Sequence, residues 1–125
     1  MLFALLFFLL AGHALMDYSL QGDSMAVCKC RKSTSPLAAS VPWYYWLTSH
    51  ALLHGLAVGV TFRWMGFDWT VVAALATAET VVHWASDYAK CEKWYSLHAD
   101  QCIHIACKLV WWTLAATEVV RPLAG

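Results

Sequence analysis

The chain of 125 residues is 61% hydrophobic and 13% charged, with a formal net charge of zero and a mean hydropathy of +0.54. Soluble domains average about 25% charged residues, so this composition argues against an ordinary water-soluble domain. The balanced charge argues against the positive field that gathers nucleic acid, and no nucleic-acid partner is expected.

The apolar residues lie in long blocks, and about 20 such residues suffice to cross a hydrocarbon core of about 30 Å. The expected fold is therefore all-α: a polytopic membrane protein, a four-helix transmembrane bundle forming one domain over residues 1–125 with an intramembrane polar site. The first helix, about 2–20, opens with the uncharged run MLFALLFFLLAG. A signal peptide would place a positive charge ahead of that run; none is there, so the helix is read as retained. The polar loop 21–41, QGDSMAVCKCRKSTSPLAAS and the residue after it, is broken by Gly22, Ser35 and Pro36. Pro42 opens the second helix, 42–64, and the short link RWMGFD makes the third helix, 67–89, its antiparallel neighbour. A hydrophilic link, 88–96, precedes the fourth helix, 97–120, which Pro122 and Gly125 close.

Loop charge sets the expected orientation. Lys29, Arg31, Lys32, Lys90 and Lys93 lie on the first and third loops, against Arg63 and Arg121 elsewhere, which places those loops in the cytoplasm and both termini in the periplasm of a bacterial inner membrane. The bilayer is then the main partner. Gly55 and Gly59 form a small-x-x-x-small stripe suited either to packing within the chain or to a homo-oligomer.

The ionisable residues repeat one spacing. His13 and Asp17, His50 and His54, Glu79, His83 and Asp87, and Asp100 and His104 are all i,i+4 steps, so each set lies on one helix face. By depth, all four sets fall in one layer. A single charged side chain at mid-bilayer costs about 2.5–3.5 kcal/mol on the most lenient scale, so such a layer needs compensation. Imidazole nitrogens and carboxylate oxygens are ligands for zinc, and also for manganese or iron, and helical bundles build such centres from facing helices. The expected ligands are His13, Asp17, His50, His54, His83, Asp87, Asp100 and His104, holding one divalent ion or more, zinc foremost. Glu79, the deepest carboxylate, and Asp100 are candidate catalytic acids or bases, while Gln21, Gln101 and Lys108 are candidates to orient ligands or contact substrate.

Cys28, Cys30 and Cys91 fall on the loops assigned to the cytoplasm, which disfavours disulfides among them. A second, structural zinc site with His98 is the other reading, although Cys-x-Cys is tighter than the usual spacing. Cys102 and Cys107 read as small packing residues.

HALMDYSLQ, SHALLH, HWASDYAK and DQCIHIACKLVWW, in that order, resemble a small uncharacterised family of integral membrane proteins encoded by bacteria and their phages. More remotely, the His-x-x-x-Asp rhythm is similar to that of membrane-bound metal-dependent hydrolases and, through them, of the zinc-dependent phospholipase C and single-strand nuclease group. His13, Asp17, His83, Asp87 and His104 match that rhythm best. The resemblance implies a zinc-dependent hydrolase acting on a phosphoester or phospholipid headgroup near the cytoplasmic leaflet. The soluble enzymes' N-terminal ligand has no counterpart in this sequence. Two other functions fit the residues: a small structural or interaction protein with a metal-stabilised bundle, and a proton-coupled transporter or channel.

Overall fold

The computed structural model describes residues 1–122, and it is all-helical apart from one isolated bridge. Helix α1, Leu2–Ala14, runs into a π turn over Leu15–Ser19. A short α2, Asp23–Cys28, and a 3-10 turn, Pro36–Ala39, occupy the segment read from sequence as loop. Three long helices follow: α3, Trp43–Trp64; α4, Trp69–Cys91; and α5, Leu97–Ala116.

The helix ends have local causes. Asp68 accepts a hydrogen bond from Thr70 N at the start of α4, and Ser96 does so from Ala99 N at the start of α5, each satisfying a backbone donor that the first turn leaves free. Gly66, at φ +86°, makes the tight turn from α3 into α4 in a backbone region that favours glycine. The fourth expected helix stops at Ala116 rather than 120, with Glu118 in the left-handed region. Pro122 then pairs with Phe67, while Gly125 lies outside the described residues.

Helices α3 and α4 pack closely because Gly55 and Gly59 face α4. A Cβ built on Gly55 would stand 2.0 Å from Thr80 Oγ1 and 2.6 Å from the Ala76 carbonyl oxygen. The small-residue stripe therefore serves packing within the chain. An apolar core fills the end of the bundle near the α3–α4 turn: Leu5 and Leu9 of α1, Val58 and Phe62 of α3, Phe67, Val72 and Leu75, and Ala115 of α5. At the opposite end the same four helices turn polar side chains inward. Large apolar residues such as Leu52, Leu56, Val60, Leu109 and Val110 lie outward.

All-α holds, but the four-helix transmembrane bundle does not. Among the described residues there are five α-helices, and one stretch, Leu2–Ser19, is long and apolar enough to cross a membrane. A signal sequence has the same features at the same place. Block length overstates how apolar these helices are, because polar residues dilute them. His50, His54 and the aromatic run at 43–46 dilute α3; Glu79, His83, Asp87 and Lys90 interrupt α4; and Asp100, Gln101, His104 and Lys108 interrupt α5. With one candidate span, the alternation of sides that placed two loops in the cytoplasm and both termini in the periplasm of an inner-membrane protein loses its basis.

Candidate metal centre

Each i,i+4 set projects inward at the polar end. His13, Asp17, His50, His54, Glu79, His83, Asp87, Asp100, His104 and Lys108 are all buried. The π turn holds Asp17: Leu20 N bonds to Leu15 O, an i to i+5 closure that inserts one residue into the helix, a feature common at functional sites.

Asp17 Oδ1 is the hub. His50 Nε2 lies 3.1 Å from it, His54 Nε2 3.2 Å and His83 Nε2 4.0 Å. Gln101 Nε2 donates to the other oxygen, Oδ2, at 2.7 Å, and Gln101 Oε1 in turn accepts from His13 Nε2 at 3.1 Å and Tyr18 Oη at 2.8 Å. One ligand atom from each of Asp17, His50, His54 and His83 lies within 4.8 Å of every other, and His83, Asp87 and His104 form a second such group. His50 Nε2 is the atom nearest both carboxylates, 3.1 Å from Asp17 and 3.4 Å from Asp87, and His83 Nε2 also faces both, at 4.0 and 3.7 Å.

The imidazoles are poorly served by hydrogen bonds. Among the described residues, both ring nitrogens of His54, His83 and His104 are buried without a partner. His54 Nε2 is near enough to Asp17 to bond, yet an N–H on that ring does not aim at the oxygen. Buried polar atoms are rarely left so, because an unmet bond costs about 1–3 kcal/mol. A shared cation would account for the misalignment. For metal–ligand bonds of about 2.0–2.2 Å, tetrahedral ligands stand about 3.3–3.6 Å apart, each lone pair aimed at the centre rather than at its neighbour. The Asp17 distances of 3.1, 3.2 and 4.0 Å bracket that spacing. The donor set, imidazole nitrogen with carboxylate, is one that zinc accepts.

Electrostatics favour the ligating protonation states of His54, His83 and Asp87. Burial pushes His83 down to about 3 and His54 to about 4, so both rings are neutral near pH 7 and keep a free lone pair. Burial opposes ionisation of Asp87, but His104, Lys29 and Lys90 outweigh it and hold the carboxyl well below its ordinary range. For His104 burial is likewise outweighed, by Asp100 and Asp87, and its pKa rises.

Three lysines reach the centre. Lys108 Nζ donates to Glu79 Oε1 at 2.5 Å, and Trp111 Nε1 to Glu79 Oε2 at 2.7 Å. Lys90 donates to Asp87 Oδ1 and, at 2.9 Å, to Asp100 Oδ2. Lys29 donates to Asp87 Oδ2 and to Gln21 Oε1, both at 2.5 Å.

Six of the eight expected ligands thus fall in the two groups. His13 lies beside them, its ring 5.5 Å from those of His54 and His104. Asp100 lies 3.2 Å from His104 Nε2, the same nitrogen that faces Asp87 at 3.9 Å, and accepts from Ser86 Oγ at 2.9 Å. Glu79, one of the two candidate catalytic carboxylates, sits behind His83, 3.7 Å from its Nδ1, where a carboxylate orients an imidazole.

Lys29, Lys90, Ser86 and Trp111 were not anticipated. Lys90 carried a signal, three residues after Asp87 on one helix; Lys29, on a segment without periodicity, carried none. The cysteine expectation is corrected as well. Cys30 and Cys91 form a disulfide, Cys28 is a buried free thiol and His98 is exposed, so no three-thiolate zinc site exists. Disulfides persist in oxidising compartments, contrary to the cytoplasmic placement of those loops.

A family model described as "Protein of unknown function (DUF3307)" matches residues 5–121, and the chain belongs to that family. No curated protein and no solved structure matches it.

Proposed function

We propose that this DUF3307 member is a metal-dependent hydrolase of phosphoesters, with a zinc-type ion held between Asp17, His50, His54, His83, Asp87 and His104. One observation carries the reading: six imidazole nitrogens on three buried rings have no hydrogen-bond partner where two helix-borne carboxylates converge. A divalent ion in such a setting brings the pKa of a water it holds towards neutrality and polarises a phosphoryl oxygen.

The side chains supply the rest. Glu79 orients His83 from behind, Asp100 stands beside the His104 nitrogen that faces Asp87, and Gln101 fixes Asp17. Lys29 and Lys90 are the cations an anionic ester would meet at Asp87. Hydrolysis forms one P–O bond to the water oxygen and breaks the P–O bond to the leaving alcohol, with one proton passing from water to that alcohol. Leu15, Tyr18 and Leu20, exposed at this end of α1 next to Gln101, favour an ester carried on a lipid headgroup.

A second reading has its own observation. Asp17, His50, His54 and His83 make a complete four-ligand set, and closed sets of four are characteristic of structural zinc. On this reading the ion only stabilises the bundle.

Metal analysis of the purified chain, followed by His83→Ala and Asp87→Ala, tests both. Stoichiometric zinc that is lost in these variants, with release of headgroup from phosphatidylglycerol vesicles or hydrolysis of a phosphodiester dye ester, supports the hydrolase. Zinc that raises the melting temperature with no hydrolysis of either ester supports the structural ion. Absence of a bound transition metal, or its retention in both variants, refutes the metal centre.

A further inference from the structure

The disulfide and the centre are coupled through sequence neighbours. Cys30 follows Lys29 and Cys91 follows Lys90, and these two lysines hold the two oxygens of Asp87. Lys29 is 2% exposed, an unusual place for a lysine, whose long stem and hydrated ammonium favour water. It reaches Asp87 from outside the four long helices, at the end of the six-residue α2.

Asp87 is also the one carboxylate of the His83–Asp87–His104 group. In that group both imidazoles are buried with all their nitrogens unpartnered, while both carboxylate oxygens are occupied by ammoniums. A divalent cation and the Lys29 ammonium repel one another and cannot share Asp87 Oδ2. A group of three protein ligands differs in kind from the closed group of four around Asp17, because three ligands leave a coordination position open to water or substrate.

We propose that His83–Asp87–His104, which shares His83 with the group around Asp17, is a second, overlapping cation position, filled in the oxidised chain by the Lys29 ammonium, and that the Cys30–Cys91 disulfide is the latch that keeps it there. The proposal rests on the metal reading above and adds a control to it. While latched, an ion is confined to the closed group around Asp17. With the latch open, Asp87 is free to ligate. Opening takes a two-electron reductant: with a dithiol, the Cys30–Cys91 S–S bond accepts two electrons and two protons to give two thiols, and the reductant's two thiols close to a disulfide.

Beyond the packing of α2 on α3, the buried Cys28 and the Lys29–Gln21 hydrogen bond, few ties hold this stretch of chain, and the latch adds to them. The disulfide joins residues 61 apart in sequence, and its loss lowers the effective concentration of Lys29 at Asp87. The other ties near it are the ion pairs of Arg31 and Lys32 with Glu92, whose basic partners are 49% and 67% exposed. Such exposed pairs hold weakly. Cys28, buried before Lys29, anchors the base about which the lysine swings.

The test uses the whole chain, oxidised, reduced with a phosphine, and as Cys30→Ser/Cys91→Ser. Brief acetylation followed by peptide mass spectrometry reads the exposure of each lysine, with Lys32 and Lys93 as exposed controls. Lys29 is expected to react at least about tenfold more slowly than Lys32 in the oxidised chain and to approach it in the other two forms. Zinc affinity, measured against a chromophoric chelator, is expected to rise about tenfold or more on reduction and equally in Lys29→Gln, and reduction of Lys29→Gln is expected to add nothing. Lys29→Met and the reduced wild-type chain guard against a fold defect peculiar to one variant. Continued protection of Lys29 after reduction overturns the latch. Release of Lys29 with zinc affinity unchanged there and in Lys29→Gln overturns the second cation position and leaves the metal centre standing. Absence of zinc binding in every form overturns both.

Discussion

Glu79 and Lys108 give a sharp test of how the polar interior is held together. The two side chains are each 1% exposed and meet at 2.5 Å, and Trp111 donates to the second Glu79 oxygen at 2.7 Å. Glu79→Leu strands a buried ammonium and a part-buried indole N–H. Breaking a buried pair from one side costs about 3–5 kcal/mol, and the orphaned indole about 1–3 kcal/mol more. Lys108→Leu leaves Glu79 with Trp111 alone and is expected to cost about 3–4 kcal/mol. The double replacement removes both charges and leaves only the indole unmet, so its cost should fall to about 1–3 kcal/mol, less than either single change. The measurement is equilibrium urea unfolding of the four proteins with a chelator present, so that bound metal does not enter. With a slope of about 1–3 kcal/mol per molar urea, each single variant should lose about 1 M or more from its midpoint, and the double variant should recover most of it. Singles within about 1 kcal/mol of wild type, or a double whose cost equals the sum of the singles, would refute the reasoning.

The remaining predictions concern other parts of the molecule. His54 and His83 titrate near about 4 and about 3 in the folded chain, below the ordinary 6.5. In that interval the unfolded chain binds more protons, so stability is full above pH 6.5 and falls as pH drops, by up to about 1.4 kcal/mol per pH unit for each histidine. His104, shifted upward, gives the opposite slope only above pH 6.5 and does not mask the fall. Urea midpoints of chelated protein at pH 7 and 5.5 check the sign, and a flat profile contradicts it. Gly55→Ala forces a Cβ against Thr80 and the Ala76 carbonyl and should destabilise by about 1–3 kcal/mol in the same assay; no loss would mean that α3 and α4 separate freely. Gln101→Leu removes the hydrogen bond that fixes Asp17 and should weaken zinc binding by about 10–100-fold in a chelator competition. Unchanged affinity would show that Asp17 is held without it.

Legibility in the sequence divides along physical lines. The i,i+4 spacing is a property of a single helix, and it placed His50 with His54 and His83 with Asp87 on the correct faces before any tertiary contact was known. The helix start marked by Pro42 is local in the same way. What depends on a segment's partner was invisible. Lys29 sits in a stretch read as loop, and nothing near residues 28–30 tells where Cys91 or Asp87 stands in space. The transmembrane reading failed for another reason. It counted apolar residues in α3 without weighing the tryptophans, tyrosines and histidines between them, whose polar atoms lower the hydropathy of any long window. The π turn at Leu15–Ser19 was missed because one inserted residue leaves no mark on an apolar sequence.

Charge accounting separates Asp17 from the other buried carboxylates. Glu79 has Lys108, Asp87 has Lys29 and Lys90, and Asp100 shares Lys90. Among the described residues no lysine or arginine nitrogen lies within 4.0 Å of Asp17, whose neighbours are the rings of His13, His50, His54 and His83 and the amide of Gln101. Neutral imidazole and amide N–H groups can hydrogen-bond a carboxylate, but they do not cancel its charge, and an uncompensated buried charge is among the most costly features a fold can carry. A divalent ion at the four-ligand group would neutralise Asp17 and at the same time occupy the lone pairs of His54 and His83. Protonating a ring would cancel the charge but leave the other unpartnered nitrogens unmet. The charge deficit and the hydrogen-bond deficit fall on the same few atoms, and a cation between those atoms removes both.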